Sequence, residues 1–253
     1  MYPNKYIALL ILLVITLVIA CNSEEEFATV DVNFTLTYDN EPLVAFEAFD
    51  YERGHKILFS KYSMFLSDLR LHNDEGSVLL SDVEFIDILD GAITLSDAQE
   101  GKLRTYSNVL FDEYSHLSFN IGVPAEVNAT APADYSSDNP LSNNGEYWVG
   151  WSSYIFHKIE GKMDADGDED PEAGIALHIG SDQAFREIMV NVPISIDQSN
   201  EVININFDLK RNLLMGSEYY DFIETPQVHH EGVLPRVLPI LDETSQNVEV
   251  REM

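Results

Sequence analysis

The sequence predicts an all-β chain: an antiparallel β-sandwich with long loops and an extended C-terminal segment. Three observations carry this. Apolar residues recur at every second position in many short runs, turn residues separate those runs, and helical periodicity is scarce. In the first run Val30, Val32, Phe34 and Leu36 alternate with Asp31, Asn33 and Thr35, the pattern of a strand with one buried face. Similar runs recur at 57–71, 78–80, 83–88, 108–111 and 117–123, then at 175–179, 187–196 and 202–209. The last is the cleanest, with Ile203, Ile205, Phe207 and Leu209 on one face and Asn204, Asn206 and Asp208 on the other. Asn73-Asp74-Glu75-Gly76, Asp90-Gly91 and the long polar stretch 124–144 supply the turns. Only 96–103 and 183–187 suggest a helical turn or two. Residues 219–253 hold Pro226, Pro235 and Pro239 and are expected to be extended chain packed on the sheets. No repeat or linker divides the chain, so 29–253 reads as one domain.

The N-terminus has a different design. Lys5 precedes an apolar run from Ile7 to Ala20, which as a helix would span about 21 Å, short of the roughly 30 Å hydrocarbon core. A charged start, a short apolar stretch and a small residue before the cut describe a secretory signal over 1–20. The run closes on Val18-Ile19-Ala20-Cys21, which resembles a bacterial lipobox, so Cys21 is expected to be lipidated and to hold the mature chain on the membrane. Residues 21–28 then read as an acidic tether. An acidic run directly after the lipid-bearing cysteine resembles the surface-export signal of Bacteroidetes lipoproteins. The expectation is an outer-membrane lipoprotein, facing the periplasm or the cell surface.

Cys21 is the single cysteine of the 253 residues, so disulfides, zinc-thiolate sites and cysteine nucleophiles are excluded. Lys and Arg number 14 against 44 Asp and Glu, a formal net charge of −30. Such a surface repels phosphate backbones, so no nucleic-acid partner is expected, whereas cations are attracted.

Chemistry concentrates in two segments. The stretch 145–161 holds both tryptophans, Trp148 and Trp151, beside Tyr147, Tyr154 and His157. A core aromatic cluster would account for it, since Trp and Tyr bury large areas and anchor their polar tips. In 175–180 a strand would put Ile175, Leu177 and Ile179 on one face and His178 on the other. Imidazole is a common neutral metal ligand and suits copper.

Here the sequence resembles a known family. The segment 56–71, the Tyr147-Trp148 block with Tyr154-Ile155-Phe156-x-Lys158-x-Glu160-Gly161, and His178-Ile179-Gly180 follow one another at the spacing of the MbnP-like family. The tail from Thr225 through His229-His230 to Val250 is similar as well, so the resemblance covers about 31–250. It implies an all-β sandwich that binds copper near a tryptophan. In some members a partner di-haem enzyme of the peroxidase type oxidises that tryptophan to kynurenine, which adds an aryl amine and a ketone where indole offers a metal no lone pair. Trp148 and His178 match the family's tryptophan and histidine. The departure is the second tryptophan: the family usually shows Trp-x-Trp, whereas Val149 and Gly150 separate Trp148 from Trp151. His157, His229 and His230 are further copper-ligand candidates. Adjacent histidines on extended backbone point to opposite sides, so one of the 229–230 pair at most should face a given site.

A second metal motif is Asp164-x-Asp166-Gly167-Asp168-x-Asp170, alternating carboxylates of the kind that collect around calcium. It is not an EF-hand: counted from Asp164, position 12 is Ile175, where a bidentate Glu is required, and the glycine stands at position 4 instead of 6. A solvated acidic hairpin loop is the competing reading. No nucleophile elbow, zincin motif or phosphate loop is present, so a non-catalytic protein is expected. Carboxylate pairs are too numerous in so acidic a chain for a glycosidase pair to be singled out. The leading reading is a copper-binding lipoprotein that sequesters or hands on the metal. The alternative is a binding or adhesive β-sandwich whose aromatic cluster is structural, with a weak calcium site at 164–170.

Overall fold

A computed structural model describes residues 26–252. The signal segment 1–20, Cys21 and most of the 21–28 tether lie outside the described residues. Along the chain run β1 (Phe27–Tyr38), β2 (Glu41–Pro42), β3 (Ala48–Asp50), β4 (Lys56–His72), β5 (Ser77–Asp87), β6 (Lys102–Leu110), β7 (Asp112–Ile121) and β8 (Tyr147–Trp148). There follow β9 (Ser153–Met163), β10 (Ala173–Gly180), β11 (Arg186–Ile196), β12 (Asn200–Asp208), β13 (Leu214–Met215), β14 (Glu218–Tyr219), β15 (Gln227–Val228) and β16 (Glu249–Glu252).

Two sheets make the sandwich. The smaller runs β16-β12-β1-β2, with β6 also paired to β1. The larger runs β11-β7-β4-β9-β10-β15, with β3 and β5 on the other edge of β4 and β8 on β9. Period-2 patterning explains both. Val30, Val32 and Phe34 of β1 and Ile203, Ile205 and Phe207 of β12 are fully or almost fully buried between the sheets. There Phe207 meets Tyr62 and Phe119 of the larger sheet, with ring centroids 6.1 and 6.4 Å apart. On the outer face of the same pair, Thr35 and Thr37 bond to Asn206 and Asp208 at 3.0 and 3.3 Å.

The architecture is an all-β sandwich, but its sheets are mixed instead of purely antiparallel. β1 pairs with β12 in parallel, and β10 with β15. Parallel neighbours need a long crossover, and between β1 and β12 the chain builds most of the larger sheet. Alternation along a strand does not encode its partner's direction, which is why the pattern left this open. A second difference is in the tail. Residues Leu238–Gln246 form an α-helix and Glu231–Arg236 a 3₁₀ segment, where extended chain was expected. Pro239 stands in the first helical turn, where a missing N–H removes no helix bond. Ile240, Leu241 and Thr244 then bury one face of the helix. The two short helical expectations are met in part: 96–103 becomes the helix Leu95–Glu100, capped by Thr94, with Lys102 and Leu103 already in β6, and 183–187 becomes one 3₁₀ turn at Asp182–Ala184, with Arg186 and Glu187 in β11.

Candidate metal centre

The hairpin β9–β10 builds the site. Its register sets His178 opposite Lys158, and Lys158 in turn lies opposite Ser63 of β4, which lies opposite Asp87 of β5. Directly opposed residues share a face, so a polar row crosses four strands on the outer side of the larger sheet. Tyr62, beside Ser63, faces the interior against Phe207. Two glycines of the sequence block are required by close packing. A Cβ on Gly161 would fall 2.0 Å from the Leu58 carbonyl oxygen, and one on Gly180 would fall 2.4 Å from that of Tyr154.

Three further segments cover this face. The loop 124–146 folds over it, its Leu141 carbonyl accepting from the Tyr154 hydroxyl at 3.0 Å. The loop ends on Glu146, whose buried carboxylate meets the buried Lys158 ammonium at 2.7 Å. That pair fixes the start of β8, where Trp148 pairs with Ser153. From the far side comes β15, parallel to β10 with Val228 beside Leu177, so His229 follows alongside His178.

Three rings meet here. The Trp148 and His229 rings stack with centroids 5.4 Å apart and planes at 15°. His178 stands edge-on to both, 5.8 Å from Trp148 and 4.9 Å from His229. Trp151 also reaches Trp148, at 5.9 Å. The two-residue spacer that departs from Trp-x-Trp forms a turn, with the Trp151 N–H donating to the Trp148 carbonyl at 3.0 Å, and so returns the second ring to the first. Nε2 of His178 lies 2.6 Å from Oε1 of Glu160. The Nδ1 atoms of His178 and His229 are both buried and find no hydrogen-bond partner among the described residues. Burial, then the neighbouring His178, holds the His229 pKa below the ordinary imidazole range. The ring is therefore neutral at pH 7, the form that ligates. Two imidazoles with partnerless buried nitrogens fit copper's preference for nitrogen donors.

The other predicted residues are elsewhere. His157 does not join the cluster. It precedes Lys158 on β9 and so points the opposite way, into the core, where it is fully buried edge-on to Tyr62 at 4.7 Å. Burial drives its pKa down to about 3. His230 is exposed at the start of the 3₁₀ segment and faces away from His229, as alternation requires. At the acidic tip, carboxylate oxygens of Asp164, Asp166, Asp168 and Glu172 lie within 4.8 Å of one another. It is the one group of three or more donors so closely drawn together among the described residues. Asp170 is not in it; Glu172 takes its place, because the loop turns back toward β10 before closing. Asp164 is buried, yet backbone N–H groups of Gly167, Glu169 and Asp168 outweigh that burial and hold its carboxyl below the usual range.

Sequence reasoning did not single out Glu160 or the Glu146–Lys158 pair. Alternation puts Lys158 and Glu160 on one face, but only the β9–β10 register sets His178 against them.

A family model described as MbnP matches residues 27–230. Among solved structures, MbnP from Methylosinus trichosporium is similar, with a TM-score of 0.53 and 15% identity over 77% of this chain and 80% of that one. At that identity the likeness shows a shared fold. No curated protein sequence matches the chain.

Proposed function

Because the chain belongs to the MbnP family, we propose that it is an exported lipoprotein, anchored through Cys21, that binds copper through His178 and His229 beside Trp148. The observation that carries this is the meeting of those three rings, two of which hold a buried nitrogen with no hydrogen-bond partner among the described residues. A buried polar atom without a partner costs about 1–3 kcal/mol, and a bound cation would relieve two such atoms at once. The metal is cargo, sequestered or handed on, and no catalytic step is assigned to the chain. His178 is held on β10, and His229 directly follows the short strand β15 that pairs with it.

Trp148 supplies a wall in its unmodified form. Oxidation by a partner di-haem enzyme of the peroxidase type, with hydrogen peroxide as the oxidant, would cleave the indole C2–C3 bond and release C2 as formate on hydrolysis, a net exchange of one carbon for one oxygen that gives the site an amine and a ketone next to the two imidazoles. Trp148 is half-buried and lies at the end of a two-residue strand, accessible to such a partner.

The test is copper content and intact mass of the protein purified from its native host, followed by titration of Cu(I) against a chromogenic competitor. The expected result is one copper per chain, lost in both H178A and H229A. Absence of retained copper, or variants that bind as the parent does, would overturn the reading and leave the adhesive sandwich. A mass showing the carbon-for-oxygen exchange at Trp148 would support the modifying partner.

A further inference from the structure

Resting on the copper reading above, we propose that Glu160 is a positioning residue of this site: it holds the Nε2–H of His178 and so leaves Nδ1 as the atom that takes the metal.

Glu146 is committed to Lys158 at 2.7 Å, and Asp87 to Lys61 at 2.7 Å. Glu160 instead meets His178, Oε1 to Nε2, at 2.6 Å. An ionised carboxylate only accepts hydrogen bonds. The ring nitrogen is therefore the donor. A neutral imidazole carries a single ring proton, so with Nε2 protonated the lone pair resides on Nδ1. That atom is the buried one without a partner among the described residues.

Glu160 can impose this because its own backbone is fixed on both sides. Across β9 it pairs with Lys61 of β4 and with Ala176 of β10, and the adjacent Gly161 packs tightly against Leu58. The carboxylate is thus presented from a central strand, and it fixes the plane of the His178 ring as well as its proton. A carboxylate behind a ligating histidine also raises the basicity of the free nitrogen, and loss of such a partner typically weakens metal binding about 10–100-fold. The same face offers His229 no equivalent carboxylate bond among the described residues, so its two nitrogens are not distinguished in this way.

The experiment compares the ¹⁵N-labelled parent chain with E160L and E160Q, metal-free and with Ag(I) as a diamagnetic probe for a monovalent soft cation. Glu160 is 35% exposed in its side chain, and thermal unfolding identifies any variant that fails to fold. In the metal-free parent, a hydrogen-bonded Nε2–H proton of His178 is expected, present in E160Q through its amide oxygen and absent in E160L. With Ag(I), Nδ1 of His178 should shift and couple to silver in the parent and in E160Q. E160L should bind about 10–100-fold more weakly and show silver at Nε2 as well. Silver at Nε2 in the parent, or E160L that binds like the parent through Nδ1 alone, would overturn the assignment. A parent chain that takes no Ag(I) would defeat the copper reading itself and the ligand assignment with it. The metal-free Nε2–H signal separates that failure from a failure of the Glu160–His178 bond.

Discussion

Two groups of candidate metal donors lie along the β9–β10 hairpin, with His229 joining the first from beyond β15, and they differ in nearly everything a cation would meet. Along its paired strands His178 is 14% exposed, backed by Glu160 and enclosed by Trp148 and His229. At its tip Asp166, Asp168 and Glu172 are exposed, with Asp164 alone buried. The first group offers buried nitrogens, one on β10 and one just past β15; the tip offers mostly exposed oxygens on a turn. Soft and borderline cations suit the first, hard cations such as calcium the second. With 44 acidic side chains the protein attracts cations everywhere. Selectivity comes from where donors are desolvated and held, which the charge count does not determine.

The comparison is broken most forcefully at its support. K158A leaves the Glu146 carboxylate buried and unpaired, which should destabilise the fold by about 3–5 kcal/mol. It should also release the loop that delivers Trp148, weakening copper binding. Chemical denaturation of K158A and of the double variant E146Q/K158M tests this. The double variant should recover most of the stability, and equal loss in both would show that the ion pair is not the cause.

An effect confined to acid pH separates the two faces of β9. His157 has its pKa lowered by burial to about 3, whereas unfolded histidine titrates near 6.5. Above that value the ring is neutral in both states and contributes no pH dependence. Below it the unfolded chain takes up a proton that the folded core refuses, so stability falls by about 1.4 kcal/mol per pH unit toward pH 3. H157L should flatten that slope while leaving copper binding at neutral pH unchanged. A slope unaltered by H157L would place the acid sensitivity elsewhere.

The smallest effect belongs to the tip. Millimolar calcium should stabilise the protein by on the order of half a kcal/mol, the value for a site half-filled at that concentration. D166N/D168N should abolish the gain without altering copper affinity. A thermal shift with and without calcium reads it, and an unchanged midpoint in the parent would leave the tip as a solvated loop.

Much of this was legible beforehand, for particular reasons. Alternation marked β1 and β12 because one face is buried and the other wet. The tail helix was missed because Pro226, Pro235 and Pro239 read as breakers, although a first-turn proline costs a helix nothing. Trp148 and His178 were found through a sequence block. His157 sits within that block, and only the side it faces excludes it. His229 was separated from His230 by register with β10, and Glu160 was recognised only once His178 lay beside it.

By itself, then, the sequence determined the fold class, the acidic character and the scarcity of thiols, and it named Trp148, His178 and the 229–230 pair as candidates. Each of these is local, written in periodicity, composition or a contiguous block. The tertiary structure decided strand direction, which histidine joins His178, and which carboxylate stands behind it. Those depend on pairing between segments as far apart in sequence as β1 and β12 or β10 and β15, and a two-residue period says which side of a strand a residue takes but not what lies across from it.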